Sequence, residues 1–361
     1  MQHTLFITGG AGYIGEMLCD QFSRREDVVR IVALDKEPQS AFSKSIPKVV
    51  YIQHNMADAG WEEEVGKYQP DIVIHTAWQI RAMYGNSGEQ WRWNVGGSDR
   101  VFDFALSLPS VERLVYFSTA SSYGARADNT FAHLFTEDEG FREDDYIYAK
   151  EKRVAEAHLR EKYEQAKKEG KRLPQITIVR PAAITGPRGR FMRIRFGLQS
   201  ALQGNLQGGF VNKMVTLLTS WVPATKGWVR QFIHEDDVND IVAAFAFGAH
   251  DWEYNVFNIT PVSEPVFAPD MARAVGKRVL PIAPWMARAA FFFFWHATRG
   301  KIPTCPGSWR FYSYPVLMSG EKLASVYTCA YSSKDAFRHT DGRYAGSVPE
   351  GKRNPRTSSA A

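Results

Sequence analysis

Thr8-Gly9-Gly10-Ala11-Gly12-Tyr13-Ile14-Gly15 is the stretch that decides the fold. It follows an apolar run, Leu5-Phe6-Ile7, and leads into a helix-length stretch, Glu16 to Arg25. Two glycine patterns overlap in it: Gly-x-Gly-x-x-Gly from Gly10, and Gly-x-x-Gly-x-x-Gly from Gly9. Between a strand and a helix, missing side chains permit a tight turn, close approach of backbone to a pyrophosphate, and close helix–strand packing. The helix N-terminus then presents N–H groups and a positive partial charge to phosphate. Gly9, Ala11, Gly12, Tyr13, Ile14 and Gly15 are therefore the expected dinucleotide contacts. Asp35 stands 20 residues beyond Gly15, at the end of the next apolar run. A carboxylate there binds ribose hydroxyls and repels a 2′-phosphate, so NAD is expected rather than NADP, although Lys36 is adjacent.

Working outward, the apolar runs Ile31 to Asp35, Val49 to Ile52, Asp71 to His75, Leu114 to Ser118 and Ile176 to Arg180 are continuous rather than alternating. Strands buried on both faces read this way. Helix-length stretches lie between them, such as Gln90 to Leu106 and Glu151 to Glu169. The alternation predicts an α/β fold, a Rossmann-type doubly wound parallel sheet. We expect residues 1–181 to form the NAD-binding domain. Residues 182–346 are expected to form a smaller C-terminal substrate-binding domain, with short strands at Gln231 to Ile233 and Asn255 to Asn258 and with some elements returning to the sheet. Apolar periodicity fades near Ser347, so 347–361 is expected to be a disordered tail.

Of the 361 residues 44 are Lys or Arg and 39 Asp or Glu, a net charge of +5 without a basic stripe, which argues against nucleic acid. Cys19, Cys305 and Cys329 are too scattered for a disulfide framework or a metal pair. No signal-peptide pattern precedes the first strand, and a cytoplasmic location is expected. Ile282 to Thr298 reads IAPWMARAAFFFFWHAT. It falls short of the roughly 20 apolar residues that span a bilayer. It could lie in a membrane interface; the preferred expectation is a helix packed over the substrate pocket or at a subunit contact.

Phe117-Ser118-Thr119-Ala120-Ser121-Ser122-Tyr123-Gly124 closes the fifth strand with a run of hydroxyls. Downstream, Tyr146-Ile147-Tyr148-Ala149-Lys150-Glu151-Lys152 holds two overlapping Tyr-x-x-x-Lys pairs, Tyr146 with Lys150 and Tyr148 with Lys152. On a helix, residues four apart share a face. A nearby ammonium stabilises phenolate, so a Tyr can exchange a proton with a substrate hydroxyl. Asn55-Met56 after the third strand would lie near adenine. His75-Thr76-Ala77 ends the fourth strand on the ligand-binding edge, with His75 alone more readily a core histidine. Asp58 is either a substitute for Asn55 or a helix cap.

With these residues in place the chain resembles the extended short-chain dehydrogenases, specifically the NAD-dependent epimerase/dehydratase family. The resemblance runs from about Thr4 to about Phe337. Its marks are Thr8 to Gly15, Asn94-Val95-x-Gly97-Ser98, Ser118 to Gly124, the Tyr–Lys pair, Arg180-Pro181 followed by Gly186-Pro187, and Arg230 to Val238. It selects Tyr148 with Lys152, because Ala149 and Glu156 then fit the family pattern. It implies Thr119 as the catalytic hydroxyl and places Ser118, Thr76 and Ala77 at the cofactor. It implies Asn94 near the lysine, and a nicotinamide lined by Pro181 to Ile184. Family members are often dimers through helices flanking the fourth and fifth strands, so a homodimer is open. Thr119-Ala120-Ser121 lacks the acid of dehydratases, and Ala182-Ala183-Ile184 lacks the Asn common in sugar-nucleotide enzymes. The reaction implied is hydride transfer from a secondary alcohol of a small-molecule substrate to NAD. A nucleotide-sugar epimerase is expected first, a hydroxysteroid-like or other lipophilic alcohol dehydrogenase second, and a non-catalytic NAD sensor third. No metal site is expected.

Overall fold

The computed structural model describes residues 2–192, 221–274 and 276–354. Six strands arise from the apolar runs: β1 (His3–Thr8), β2 (Val28–Asp35), β3 (Val49–Gln53), β4 (Ile72–His75), β5 (Arg113–Phe117) and β6 (Gln175–Pro181). Further strands follow: β7 (Ala183–Thr185), β8 (Trp221–Ala224), β9 (Phe232–His234), β10 (Tyr254–Ile259) and β11 (Arg278–Pro281). A seven-stranded sheet has the order β10-β6-β5-β4-β1-β2-β3. Every pairing in it is parallel. This is a Rossmann-type α/β fold. The chain runs outward through β1, β2 and β3, then returns to lay β4 on the other side of β1. That reversal opens a crevice at the strands' C-terminal ends.

Successive side chains of β1 point to opposite faces. Leu5 and Ile7 join one core with Leu18 and Phe22 of α1 (Tyr13–Ser23). Phe6 joins the other core with Phe102 of α2 (Gly97–Ser107) and Leu159 of α3 (Ile147–Lys168). A fourth long helix, Glu235–Phe247, adds Ile241, Val242 and Phe245 to the first core. Burial of both sheet faces explains why the strands read as unbroken apolar runs. The strand expected at Asn255 to Asn258 does return to the sheet, as β10 beside β6. The strand expected at Gln231 to Ile233 lies outside that sheet, where β9 pairs with β7 in a separate two-stranded sheet.

Other expectations need correction. The helix expected over Gln90 to Leu106 is interrupted by a π-helical turn, Arg92–Gly96. Asn94 faces inward there, with its side chain bonded to the Gln79 backbone and to Glu151. A Cβ on Gly97 would lie 2.7 Å from Met56 Cγ, so the next helix begins in close contact with the loop after β3. Asp58 does not cap the following helix, whose N-cap is Gly60; it pairs with Arg92 at 2.5 Å. Ser347 to Asn354, expected to be disordered, is placed: Thr340 donates to the Asn354 carbonyl at 3.0 Å, and Asn354 donates to Thr340 Oγ1 at 2.7 Å. The rest of that tail, 355–361, lies outside the described residues. Among the described residues no helix is long and apolar enough to cross a membrane.

Candidate active site

The glycine turn is built by exclusion. Gly9 has φ +79°, and a Cβ there would lie 2.7 Å from Thr76 Oγ1 and 2.9 Å from the Ala77 nitrogen. A Cβ on Gly15 would sit 2.0 Å from the Gly9 carbonyl, and one on Gly12 3.1 Å from the same oxygen. Any side chain would therefore break the turn or fill the space above it. Gly12 is the N-cap of α1 and supplies no side-chain acceptor. Backbone from Gly12 through Tyr13 and Ile14 thus forms a helix N-terminus suited to phosphate. The Tyr13 ring turns away, and its hydroxyl donates to Glu235.

Asp35 ends β2 beside this turn. Its carboxylate accepts from the Ala11 and Glu37 backbone nitrogens, each at 3.0 Å. Burial raises its pKa, and those backbone donors oppose the rise. Lys36 pairs with Glu37 and leans over the Trp93 ring, 4.9 Å from its centroid. Thr76 donates to the Thr8 carbonyl at 2.7 Å, and the Ala77 nitrogen donates to Thr8 Oγ1 at 3.2 Å. These bonds tie the ends of β1 and β4 together at the crevice. His75 is a satisfied core residue, bonded to Thr8 Oγ1 at 2.6 Å and Ser98 Oγ at 2.9 Å, and burial lowers its pKa well below the usual range. Asn55 Oδ1 accepts from the Ala57 nitrogen at 3.0 Å, closing a local turn that buries Met56.

Thr119 leaves β5 and caps a short 3-10 turn, accepting from the Ser121 nitrogen at 3.2 Å. Ser118 Oγ, next to it, is buried with no hydrogen-bond partner among the described residues. Lys152 is buried on α3. Its ammonium donates to the Phe117 carbonyl and lies 3.7 Å from the centroid of the Trp78 ring. Burial pulls its pKa well below the ordinary lysine range, and Glu156 and Glu151 oppose that fall. The overlapping pairs are now distinguishable. Tyr146 is the N-cap of α3, outside the helix, and its ring packs on Phe311 at 5.3 Å. Tyr148 lies on the first turn, four residues before buried Lys152. Glu156 pairs with Arg180 at the end of β6, both buried, and Arg180 also donates to the Tyr123 hydroxyl at 2.7 Å. The acid of the expected pattern therefore seats α3 on the sheet.

Pro181 ends β6 opposite Ile259, and Ile184 pairs with Ile233, so 181–184 continue past the sheet edge. Three residues of the site carried no assigned role in the sequence. Trp78 covers Lys152, and its indole nitrogen is buried without a hydrogen-bond partner among the described residues. Glu151 is buried, with Oε2 accepting from Gln90 at 3.0 Å and Asn94 at 2.7 Å; burial raises its pKa. Arg230 lies near Tyr146 and Tyr312, and burial pulls its guanidinium down to about 10. No periodicity or spacing marks a lone Trp, Glu or Arg. Orphaned Ser118 and Trp78, together with the glycine cradle, are what a bound dinucleotide would complete. Among the described residues no group of three His, Cys, Asp or Glu could hold a metal ion.

The profile of the NAD dependent epimerase/dehydratase family matches residues 5–260. The chain belongs to that family. Membership makes NAD the cofactor for which the glycine cradle and Asp35 are suited. Solved structures similar to this family member include WbmG of Bordetella bronchiseptica in complex with NAD and UDP. It is 20% identical with a TM-score of 0.63, covering 93% of this chain and 92% of that one. UDP-glucose 4-epimerase of Thermus thermophilus in complex with NAD is 18% identical with a TM-score of 0.65, covering 96% and 100%. Such identities speak for the fold alone. Among curated proteins, an uncharacterized protein of Mycobacterium tuberculosis is 24% identical over 188 residues, 51% of this chain and 48% of its own. The 3 beta-hydroxysteroid dehydrogenase/Delta 5-->4-isomerase of Vaccinia virus (strain Ankara) is 26% identical over 209 residues, 55% and 57%. The chain spans about half the length of the curated relatives it matches.

Proposed function

We propose that this family member oxidises a secondary alcohol, with Tyr148 as the proton acceptor, Lys152 as its electrostatic partner and Thr119 as the hydroxyl that holds the reacting oxygen. The observation that carries this reading is the burial of Lys152, one helical turn from Tyr148 and bonded to the carbonyl of Phe117, two residues before Thr119. Tyr148 takes the hydroxyl proton while the carbon–hydrogen bond breaks and the alcohol becomes a ketone. Lys152, in its ammonium form, favours the phenolate. NAD, when bound, supplies the hydride acceptor. The turn at Gly9, Gly12 and Gly15 would hold its pyrophosphate, Asp35 its ribose and Pro181 to Ile184 its nicotinamide end.

For the substrate we favour a nucleotide sugar, with epimerisation as the outcome. Arg230 supports this: among the described residues its guanidinium has no carboxylate or hydrogen-bond partner, and it stays charged at neutral pH, so it suits a phosphate-bearing substrate. The relatives solved with UDP or UDP-sugars agree. The second reading, a lipophilic alcohol dehydrogenase, draws on Ala182-Ala183-Ile184 and on the likeness to the Vaccinia enzyme.

The test is to denature purified protein, identify released nucleotide by mass, and assay accordingly. NAD retained near one per chain, with interconversion of a UDP-sugar that weakens in KM on Arg230→Met, is the expected result. Protein that exchanges NAD freely and reduces it with lipophilic alcohols supports the second reading. Turnover that survives Tyr148→Phe overturns both.

A further inference from the structure

The helix Pro284–Ala297 is inverted relative to an ordinary surface helix. Ala287 and Trp295 are its buried residues, and Phe291 packs on Tyr312 at 5.6 Å. The opposite side carries Trp285, Met286, Ala289, Phe292, Phe293 and His296, spaced so that they form one stripe. Trp285 is 70% exposed, Phe292 68% and Phe293 63%. Tyr84, also exposed, extends the stripe: its hydroxyl lies 3.2 Å from His296 Nδ1, and Phe292 packs on the same His at 4.5 Å. A soluble helix places polar residues on that side. Here the side facing water is aromatic.

The charge around it is one-sided. From Met271 to Gly320 the chain contains seven Lys and Arg and no Asp or Glu. Arg278, Arg288, Arg299 and Lys301 flank or lie on the helix, are exposed, and form no ion pair among the described residues. Fourteen residues make about 21 Å of helix, too short to cross a bilayer but enough to lie along one. Exposed Trp and Phe with flanking Arg and Lys are the composition that partitions into an anionic lipid interface. Arg273 and Arg310 are paired with Asp270 and Asp145, and a second copy docked through this segment would bring the other five cations and no anions of the segment against the first. A negatively charged bilayer complements both the aromatic stripe and its basic rim.

We infer that this helix docks the protein on the surface of an anionic membrane, lying in the interface with Trp285, Phe292 and Phe293 among the headgroups. A chain of ring contacts joins this helix to the start of α3. Tyr312, which packs on Phe291, neighbours Phe311, and Phe311 packs on Tyr146, whose ring lies 5.6 Å from that of Tyr148. The inference does not rest on the proposed chemistry.

The test is cosedimentation of the full-length protein with vesicles of phosphatidylcholine alone or mixed equally with phosphatidylglycerol. The double variant F292S/F293S runs beside it, its folding checked by thermal melting. Binding to the phosphatidylglycerol vesicles, weakened about tenfold or more in the variant and by high salt, is expected. Absence of binding by the parent protein overturns the inference. So does equal binding to the uncharged vesicles, or binding that the variant leaves intact. If the parent instead self-associates in analytical ultracentrifugation and the variant does not, the stripe belongs to a second copy and the membrane assignment fails.

Discussion

The indole of Trp78 lies over the ammonium of Lys152, which is 3.7 Å from the ring centroid and held on its other side by the Phe117 carbonyl. A cation so placed is stabilised by the ring face yet shut off from water, and the loss of hydration dominates, because its pKa falls well below the ordinary value. We expect Trp78→Leu to keep the lysine enclosed but remove the ring's attraction, lowering the pKa further, whereas Trp78→Ala admits water and raises it. Competitive amine labelling across pH, followed by mass spectrometry of the Lys152 peptide, checks both directions.

Tyr148 and Tyr146 differ in placement, one on the first turn of α3 and the other at its N-cap. Tyr148→Phe should cut turnover by about 10²- to 10⁴-fold with NAD affinity unchanged, as expected for loss of a general acid–base group. Tyr146→Phe, which alters the N-cap residue beside Phe311, should keep most of the turnover. Equal losses in both variants would contradict the assignment.

Asp35→Ser removes the carboxylate that stands beside the Ala11 nitrogen. NAD affinity measured by calorimetry should fall roughly tenfold, the cost of about one hydrogen bond to a charged group. NADP affinity should rise, because the repulsion of a 2′-phosphate is gone.

Buried His75 is neutral in the folded state at pH values where it is protonated in the unfolded chain. Below about pH 6.5 the unfolded chain therefore binds the extra proton, and stability falls as pH falls, by up to about 1.4 kcal/mol per pH unit. Comparing urea unfolding at pH 7 and pH 5, His75→Gln should lose less stability over that interval than the parent.

Glu156→Ala strands the Arg180 guanidinium in the core between α3 and β6. Breaking a buried pair from one side costs roughly 3–5 kcal/mol. A large drop in the urea midpoint is expected, whereas E156M/R180M, which removes both charges, should recover much of it.

Much of the fold was legible because it depends on local pattern. Leu5-Phe6-Ile7 before Gly9 announces a strand buried on both faces, and Asp35 at the end of β2 follows from the length of one strand–helix–strand unit. The π-helical turn at Asn94 was not legible, since it reflects Asn94 reaching Gln79 and Glu151, residues distant in sequence. The choice between Tyr146 and Tyr148 was open by spacing alone and rested on a family likeness; that one stands at the cap and the other on the helix is visible only in the fold.

The sequence by itself determined the class of fold and the dinucleotide turn, because strand burial and glycine geometry are properties of adjacent residues. Only the tertiary structure decided that Trp78 roofs Lys152, that Arg230 lies near Tyr146 and Tyr312, and that the aromatic side of Pro284–Ala297 faces outward. Those outcomes depend on which surfaces meet after the chain has closed on itself, and burial is a property of the assembled fold rather than of any short segment.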